Sequence, residues 1–303
     1  MTPVPSTPAY RADVDALRAI AVLAVFLFHL GVADLPGGFV GVDVFYVISG
    51  FVIFRALYRE ADQGRFSAWR FYRRRICRIL PALILTLAAC LAAGAAVMVP
   101  DDFARLANSA LATLVSGSNI YFADRVDYFA PSVHETPLAH TWSLGIEEQF
   151  YLLAPLLVLA FGRSWGGRRW GGRGLVRALA VVSLLSLGWN LVAVHGVGDE
   201  VRAFYLPMAR LWEIGAGGLI AWLEPRWRPR GAARTLLAGL GFGGLAASFV
   251  LIDEALPFPG LTALAPVAAT AAVIAAALPA SGVAGRVLAA APVLFIGRIS
   301  YSL

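Results

Sequence analysis

Long apolar runs, separated by short polar segments, make up most of the chain. A helix needs about 20 apolar residues to cross the hydrocarbon core of a bilayer, and the sequence holds eight such runs. We therefore predict an all-α, polytopic integral membrane helical bundle with about eight complete spans and an unfinished ninth that begins near residue 287. The predicted spans cover residues 16–33, 39–57, 81–99, 141–162, 176–195, 204–223, 235–252 and 260–279.

The composition supports this class. Of the 303 residues, 59% are hydrophobic and 15% are charged, which excludes a disordered chain and an ordinary soluble enzyme. All 25 basic residues are arginine, but they form short blocks between apolar runs, so no nucleic-acid partner is expected. Cys77 and Cys90 offer neither a disulfide framework nor the spacing of zinc ligands, and no metal is expected.

Arginine is distributed unevenly between the predicted loops. Loops 58–80, 163–177 and 224–234 carry seven, five and four arginines, and such loops face the cytoplasm. The alternate loops hold ten acidic residues against three arginines, which predicts that they face outward and that the N-terminus is cytoplasmic. These outward loops are residues 31–38, 100–139 with Asp127, 196–203 and 253–259.

The segment 103–123 is apolar enough to suggest another span. A span there would export the five arginines of loop 163–177, so we predict an interfacial or re-entrant helix on the outer side. No internal repeat is visible, which disfavours the transporters built from inverted repeats.

The first span carries Arg18 and His29. At about 100° per residue, eleven residues bring the two side chains within about 20° of one face and about 16 Å apart along the axis. This pair indicates a polar path through the membrane. The alternative is an arginine that extends to one interface and a histidine that is satisfied at the other.

The second span places Asp43 in an otherwise apolar helix. Gly41, Ser49 and Gly50 indicate a helix that packs closely against its neighbours. Packing does not explain the carboxylate, so Asp43 is a candidate for a supporting role or for acceptor binding.

Arg74, Arg75 and Arg78 fall on one side of a helix at the membrane surface. Three interpretations remain open. The arginines set the orientation of the chain, bind lipid headgroups, or form an anion site for a phosphorylated cofactor, because guanidinium groups suit phosphate geometry.

The fourth span begins with HTWSLGIEEQFY, in which His140, Ser143, Glu147 and Tyr151 share a helical face. A Ser-His-Glu triad is excluded, because consecutive turns of one helix cannot provide its geometry. The four residues are candidates for chemistry or acceptor binding.

The sixth span contains Arg210 and Glu213, which are three residues apart. Such a spacing favours a self-neutralising ion pair within the membrane. A supporting or acceptor-binding role is the alternative.

Four blocks of the sequence resemble acyltransferase family 3, a group of membrane O-acyltransferases. They are the Arg18 to His29 spacing, GGFVGVDVFYVISGF, RRRICRILPAL and HTWSLGIEEQFYLLAP, and their order also matches. The resemblance implies a single membrane acyltransferase domain over residues 1–303, in a bacterial inner membrane. Members modify cell-envelope glycans such as lipopolysaccharide O-antigen and peptidoglycan, and other exported oligosaccharides.

The resemblance implies roles for several residues. His29 matches the active histidine and Arg18 its associated arginine. The implied donor is cytoplasmic acyl-CoA, with acetyl-CoA expected, held near Arg74, Arg75 and Arg78. His29 would deprotonate an acceptor hydroxyl for direct attack or, as the alternative, carry the acyl group itself. Glu147 is the candidate to orient the imidazole or to hold the acceptor.

The family has about ten spans, and many members continue into an SGNH-type domain. We therefore expect this chain to lack the last part of the acyltransferase domain and to have no soluble domain. Two other functions remain open. A transporter or flippase would also place charges in facing spans, and a non-catalytic scaffold or sensor would not depend on His29.

Overall fold

The computed structural model describes residues 10–31, 35–125, 136–162, 172–279 and 282–300, and every regular element in these ranges is helical. The predicted all-α fold is therefore confirmed for this part of the chain. Asp127 and much of loop 163–177 lie outside the described residues. The helices are α1 (Ala12–His29), α2 (Gly41–Asp62), α3 (Ala68–Val97), α4 (Pro100–Leu114), α5 (Ser118–Ala123), α6 (Thr141–Phe161), α7 (Gly172–Leu191), α8 (Glu200–Tyr205), α9 (Pro207–Leu223), α10 (Gly231–Leu251), α11 (Leu264–Ala276), α12 (Val283–Leu288) and α13 (Ala291–Ile299).

Several helices are suited to crossing a membrane. Within the described residues, five helical segments are long and apolar enough to do so, which supports an integral membrane protein. Each of the eight predicted spans overlaps a helix, although the bounds differ. However, α9 and α11 have only 17 and 13 residues, fewer than the 20 or so that a span needs, so the number of spans stays a prediction. The five segments are Gly38–Asp62, Ala68–Val97, Thr141–Phe161, Arg173–Val197 and Gly231–Leu251.

Glycines allow α2 and α9 to touch backbone to backbone. A Cβ atom on Gly50 would lie 1.7 Å from the Ile214 carbonyl oxygen, and one on Gly217 would lie 1.9 Å from the Val47 carbonyl oxygen. No other residue fits at this distance, so the predicted close packing of the second span is confirmed. The contact also aligns Asp43 of α2 with the first turns of α9.

The segment 103–123 is broken into two helices. Ser116, with φ of 59°, lies in the turn between α4 and α5, where the predicted single helix does not continue. Polar side chains on both helices bond inward: Thr113 Oγ1 lies 2.9 Å from Thr141 Oγ1, and Asn119 Nδ2 donates to the Tyr205 carbonyl oxygen at 3.0 Å. These bonds fix the pair of short helices against α6 and α8.

The arginine block lies within a helix. The predicted helical placement of Arg74, Arg75 and Arg78 is confirmed, because α3 begins at Ala68, within the segment 58–80 that connects two predicted spans. The Ser67 hydroxyl caps this start by accepting from the backbone N–H of Arg70 at 3.4 Å. Arg74, Arg75 and Arg78 therefore occupy the first turns of α3.

Candidate active site

A cavity of about 950 Å³ lies among α1, α2, α3 and α6. The short helix α8 and the segments around residues 125, 136–140 and 254–258 complete its walls. This volume is typical of a site that encloses a small-molecule ligand. The candidate residues that line this cavity are therefore those that can contact a ligand within it.

Arg18 and His29 both line the cavity from α1. The predicted shared face is thus confirmed. Arg18 Nη1 lies 3.5 Å from Asp15 Oδ1, and His29 Nδ1 lies 2.8 Å from the Val25 carbonyl oxygen. A carbonyl oxygen only accepts, so Nδ1 carries the proton of the neutral ring and Nε2 carries the lone pair. The His29 side chain is exposed, so this arrangement suits it for taking a proton from a ligand.

The opposite wall comes from α6 and the residue that precedes it. His140, Ser143 and Glu147 line the cavity together, as their shared face predicts. Glu147 is buried, and its two carboxylate oxygens accept from the hydroxyls of Ser49, at 2.9 Å, and Tyr151, at 2.5 Å. Tyr151 itself lies behind the lining. The carboxylate is thus held by Ser49 and Tyr151 rather than by the His29 imidazole.

The cavity has two chemically different ends. On α1, His29 and Arg18 lie about 16 Å apart along the helix axis, and His140 and Glu147 lie about 10 Å apart along α6. Each of the two walls therefore carries an imidazole at one end and a charged group at the other. His29 and His140 lie within electrostatic range of each other, and so do Arg18 and Glu147. Burial lowers the pKa of His140 from 6.5, against a backbone hydrogen bond at Pro137, and His29 lowers it further. We call these the histidine end and the arginine end.

The three arginines of α3 lie outside the cavity lining. Arg74 Nη2 pairs with Glu60 Oε1 at 2.7 Å, and the Arg75 guanidinium lies 5.2 Å from the centre of the Tyr151 ring. Because the Tyr151 hydroxyl bonds to Glu147, Arg75 is connected to the cavity through one aromatic ring. Arg78 is exposed on the same helix.

Asp43, Arg210 and Glu213 form a charged cluster that is sealed from the cavity. Arg210 Nη1 lies 3.1 Å from Asp43 Oδ1 and 2.9 Å from Glu213 Oε1, and all three side chains have at most 1% exposure. The predicted Arg210–Glu213 pair is confirmed, with Asp43 as a second anion. Nothing in the sequence signals the Asp43–Arg210 contact, because 167 positions separate the two residues.

Other cavity residues were not singled out from the sequence. Phe204, Phe258, Glu200 and Glu254 line the cavity. The two rings belong to the histidine end, because Phe258 packs 4.9 Å from Phe39, and Phe39 packs 5.5 Å from Phe28, the neighbour of His29. The four lining residues lie in short segments between the long helices, where helical periodicity gives no indication of position. For Glu200 and Glu254, the excess of acidic residues in the predicted outward loops is the one feature of the sequence that sets these segments apart.

Comparisons with known proteins agree on one family. The family model described as an acyltransferase domain matches residues 11–303. The O-acetyltransferase OatA of Staphylococcus aureus (strain NCTC 8325 / PS 47) is 32% identical over 309 residues, which cover 98% of this chain and 50% of OatA. A candidate membrane-bound transacylase of Komagataeibacter xylinus, BcsY, is 35% identical over 250 residues, or 82% of this chain and 59% of BcsY. The chain spans about half the length of the curated relatives it matches. No solved structure matches significantly.

Proposed function

This chain belongs to the acyltransferase domain family, and on that premise we propose that it is a membrane O-acyltransferase. It moves an acyl group, expected to be acetyl, from acyl-CoA to a hydroxyl of a cell-envelope or exported glycan. The observation that carries the proposal is the placement of Arg18 and His29 along one wall of a large cavity within an apolar helical bundle. Residues 1–303 form one acyltransferase domain in this proposal.

His29 acts as the general base. Nε2 takes the proton of the acceptor hydroxyl while the hydroxyl oxygen attacks the thioester carbonyl carbon. The tetrahedral intermediate collapses, the carbon–sulfur bond breaks, and the departing sulfur takes the proton from the imidazolium. The products are the glycan ester and free CoA, and His29 returns to its neutral form.

Arg18 and Glu147 act at the arginine end. The acyl-CoA arm passes Arg18 on its way to His29, and the guanidinium is a donor for the carbonyl and amide oxygens of that arm. Glu147 is held by Ser49 and Tyr151, which supports a role in balancing the charge of Arg18 beside the donor arm. The alternative, in which Glu147 orients His29 directly, requires both hydroxyl bonds to rearrange.

The donor enters from the cytoplasm in this proposal. The N-terminus is cytoplasmic in this arrangement, as the distribution of arginine predicts, with about eight complete spans and a ninth in a bacterial inner membrane. Arg74, Arg75 and Arg78 then lie at the cytoplasmic surface, where the nucleotide of acyl-CoA would remain while its arm extends inward. The connection from Arg75 through Tyr151 to Glu147 supports this route.

Acyl-CoA consumption separates the enzyme from a transporter or flippase. The purified chain in detergent is supplied with radiolabelled acetyl-CoA and a panel of soluble tetrasaccharides, namely chitotetraose, cellotetraose and maltotetraose. We expect release of CoA thiol and transfer of label to at least one sugar in equal amounts. Binding of acetyl-CoA without thiol release would instead indicate a carrier. A scaffold would do neither.

A further inference from the structure

Four aromatic residues form a continuous wall at the histidine end of the cavity. This aromatic wall consists of Trp142, Phe204, Tyr205 and Phe258, and all four line the cavity. The ring centres of Trp142 and Phe204 are 4.4 Å apart, those of Phe204 and Tyr205 are 5.0 Å apart, and those of Phe204 and Phe258 are 6.2 Å apart. The wall brings together α6, α8 and the segment before α11.

The sealed charged cluster holds this wall from behind. The Arg210 guanidinium lies 5.4 Å from the centre of the Phe258 ring, 5.6 Å from Phe204 and 6.0 Å from Trp142. These rings line the cavity, whereas Arg210 does not, so they separate the cation from the cavity. A desolvated cation attracts the faces of aromatic rings. The wall is therefore set in place before any ligand arrives, which lowers the entropic cost of binding.

Carboxylates stand beside the wall. Glu200, one turn before Phe204 on α8, and Glu254, four residues before Phe258, also line the cavity, as does Arg125. Carboxylates accept hydrogen bonds from hydroxyl groups and repel phosphate. The nucleotide of acyl-CoA is therefore disfavoured here, and Arg18 at the other end is the better partner for the donor.

A pyranose ring matches both features. Its C–H groups form apolar patches that pack against aromatic rings, and its hydroxyls surround those patches and donate to carboxylates. A purely apolar ligand would make no use of the carboxylates, and an anionic ligand would be repelled by them. Among acyl acceptors, a neutral sugar is thus the class that this surface suits best.

We propose that the aromatic wall, with Glu200 and Glu254, is the acceptor subsite, and that it binds one pyranose ring with a hydroxyl directed toward Nε2 of His29. This inference rests on the proposed function and specifies where the acceptor binds. The donor and the acceptor then meet from opposite ends of one cavity.

Substitution of Phe204 tests the subsite. With acetyl-CoA and the tetrasaccharide that proves to be the best acceptor, Phe204→Leu should raise the acceptor KM about three- to tenfold, the range expected for loss of an aromatic contact. The donor KM should not change, and Phe204→Tyr should restore the acceptor KM. The matched control is Phe161→Leu, which changes an exposed phenylalanine at the far end of α6.

Substitution of Glu200 tests the carboxylates independently of ring packing. Glu200→Gln should raise the acceptor KM, and because Glu200 is exposed the folded fraction should not change. Asp101→Asn is the matched control, since Asp101 is also an exposed acid in the first turn of a helix, α4, but lies outside the cavity lining.

The outcomes separate this inference from the proposed function. If the unaltered chain transfers label but Phe204→Leu and Glu200→Gln leave the acceptor KM unchanged, the subsite is wrong and the function stands. A rise in the donor KM alone would assign the wall to the donor and also overturn the inference. If the unaltered chain transfers no label to any sugar, both proposals fail.

Discussion

Two groups of charged side chains lie among the apolar helices, and they differ in what they can reach. Arg18, His29 and Glu147 line a cavity large enough for a substrate. Asp43, Arg210 and Glu213, by contrast, have almost no exposed surface. Ionisable groups within a membrane usually mark a functional site. In the proposed site such groups need not touch a ligand to serve one, because the second group supports the aromatic wall of the cavity that the first group lines.

The two groups are neutralised in different ways. Arg210 is buried between two carboxyl groups and the faces of surrounding rings, so its stabilisation depends on contacts that only the folded chain provides. The Arg18 side chain retains 12% exposure and has one carboxylate, Asp15, at 3.5 Å. Substitutions in the cavity group should therefore change the rate of transfer, whereas substitutions in the sealed group should change the stability of the fold.

The largest effect should come from His29→Ala. Loss of a general base lowers turnover about 100- to 10,000-fold, while the exposed position of His29 predicts an unchanged amount of folded protein. Turnover is measured as CoA thiol release with acceptor present, and folding by size-exclusion chromatography in detergent. Near-normal turnover of the variant would remove His29 from the mechanism. A loss of folded protein would instead show that His29 stabilises the fold.

Arg210→Leu should have the largest effect on stability. Removing one partner of a buried ion pair typically lowers the free energy of unfolding by about 3–5 kcal/mol, because two buried carboxylates lose their cation. Thermal unfolding in detergent measures the effect. The control is Arg105→Leu, since Arg105 pairs with Asp102 on the surface, where both side chains are about half exposed and such a pair contributes at most about 1 kcal/mol. Equal losses for the two variants would show that the buried cluster does not support the fold.

Glu147→Gln should lower turnover with little loss of folded protein. The amide oxygen still accepts from one hydroxyl, but the negative charge opposite Arg18 is lost. A hydrogen bond to a charged group contributes about 1.5–3 kcal/mol, so turnover should fall about ten- to hundredfold. Steady-state assays at saturating acetyl-CoA give the value. If Glu147→Gln lowered the thermal stability as much as Arg210→Leu, Glu147 would be a residue that stabilises the fold.

The smallest effect should come from changing Arg74, Arg75 and Arg78 together to lysine. Lysine keeps the charge that orients the chain but loses the planar pair of donors that suits phosphate. If these residues hold the donor, the KM for acetyl-CoA should rise about two- to tenfold, with the acceptor KM unchanged. The matched control changes Arg226, Arg228 and Arg230 of the loop 224–234 to lysine. An unchanged donor KM in both triple variants would leave the α3 arginines with an orienting role only.

Residues within one helix could be placed from the sequence. Arg18 with His29, and His140 with Ser143 and Glu147, occupy the faces that helical periodicity gives them, and all five line the cavity. The spacing within a helix is local, so it does not depend on how the helices pack.

Contacts between helices could not be placed in this way. The Asp43–Arg210 pair and the aromatic wall depend on how α2, α6, α8 and α9 pack, which no single periodicity encodes. The break near Ser116 was also missed. Its polar neighbours, such as Asn119, find partners only in the folded bundle, and the sequence shows them merely as polar residues in an apolar run.

The central claim is that one cavity receives the donor at the arginine end and the acceptor at the histidine end, from opposite faces of the membrane. Sealed proteoliposomes test it directly, with the accepting tetrasaccharide trapped inside and radiolabelled acetyl-CoA added outside. A parallel sample carries both substrates outside only. The account predicts that label reaches the trapped sugar, and that the sample with both substrates on one face stays unlabelled. Efficient labelling when donor and acceptor share one face would contradict it.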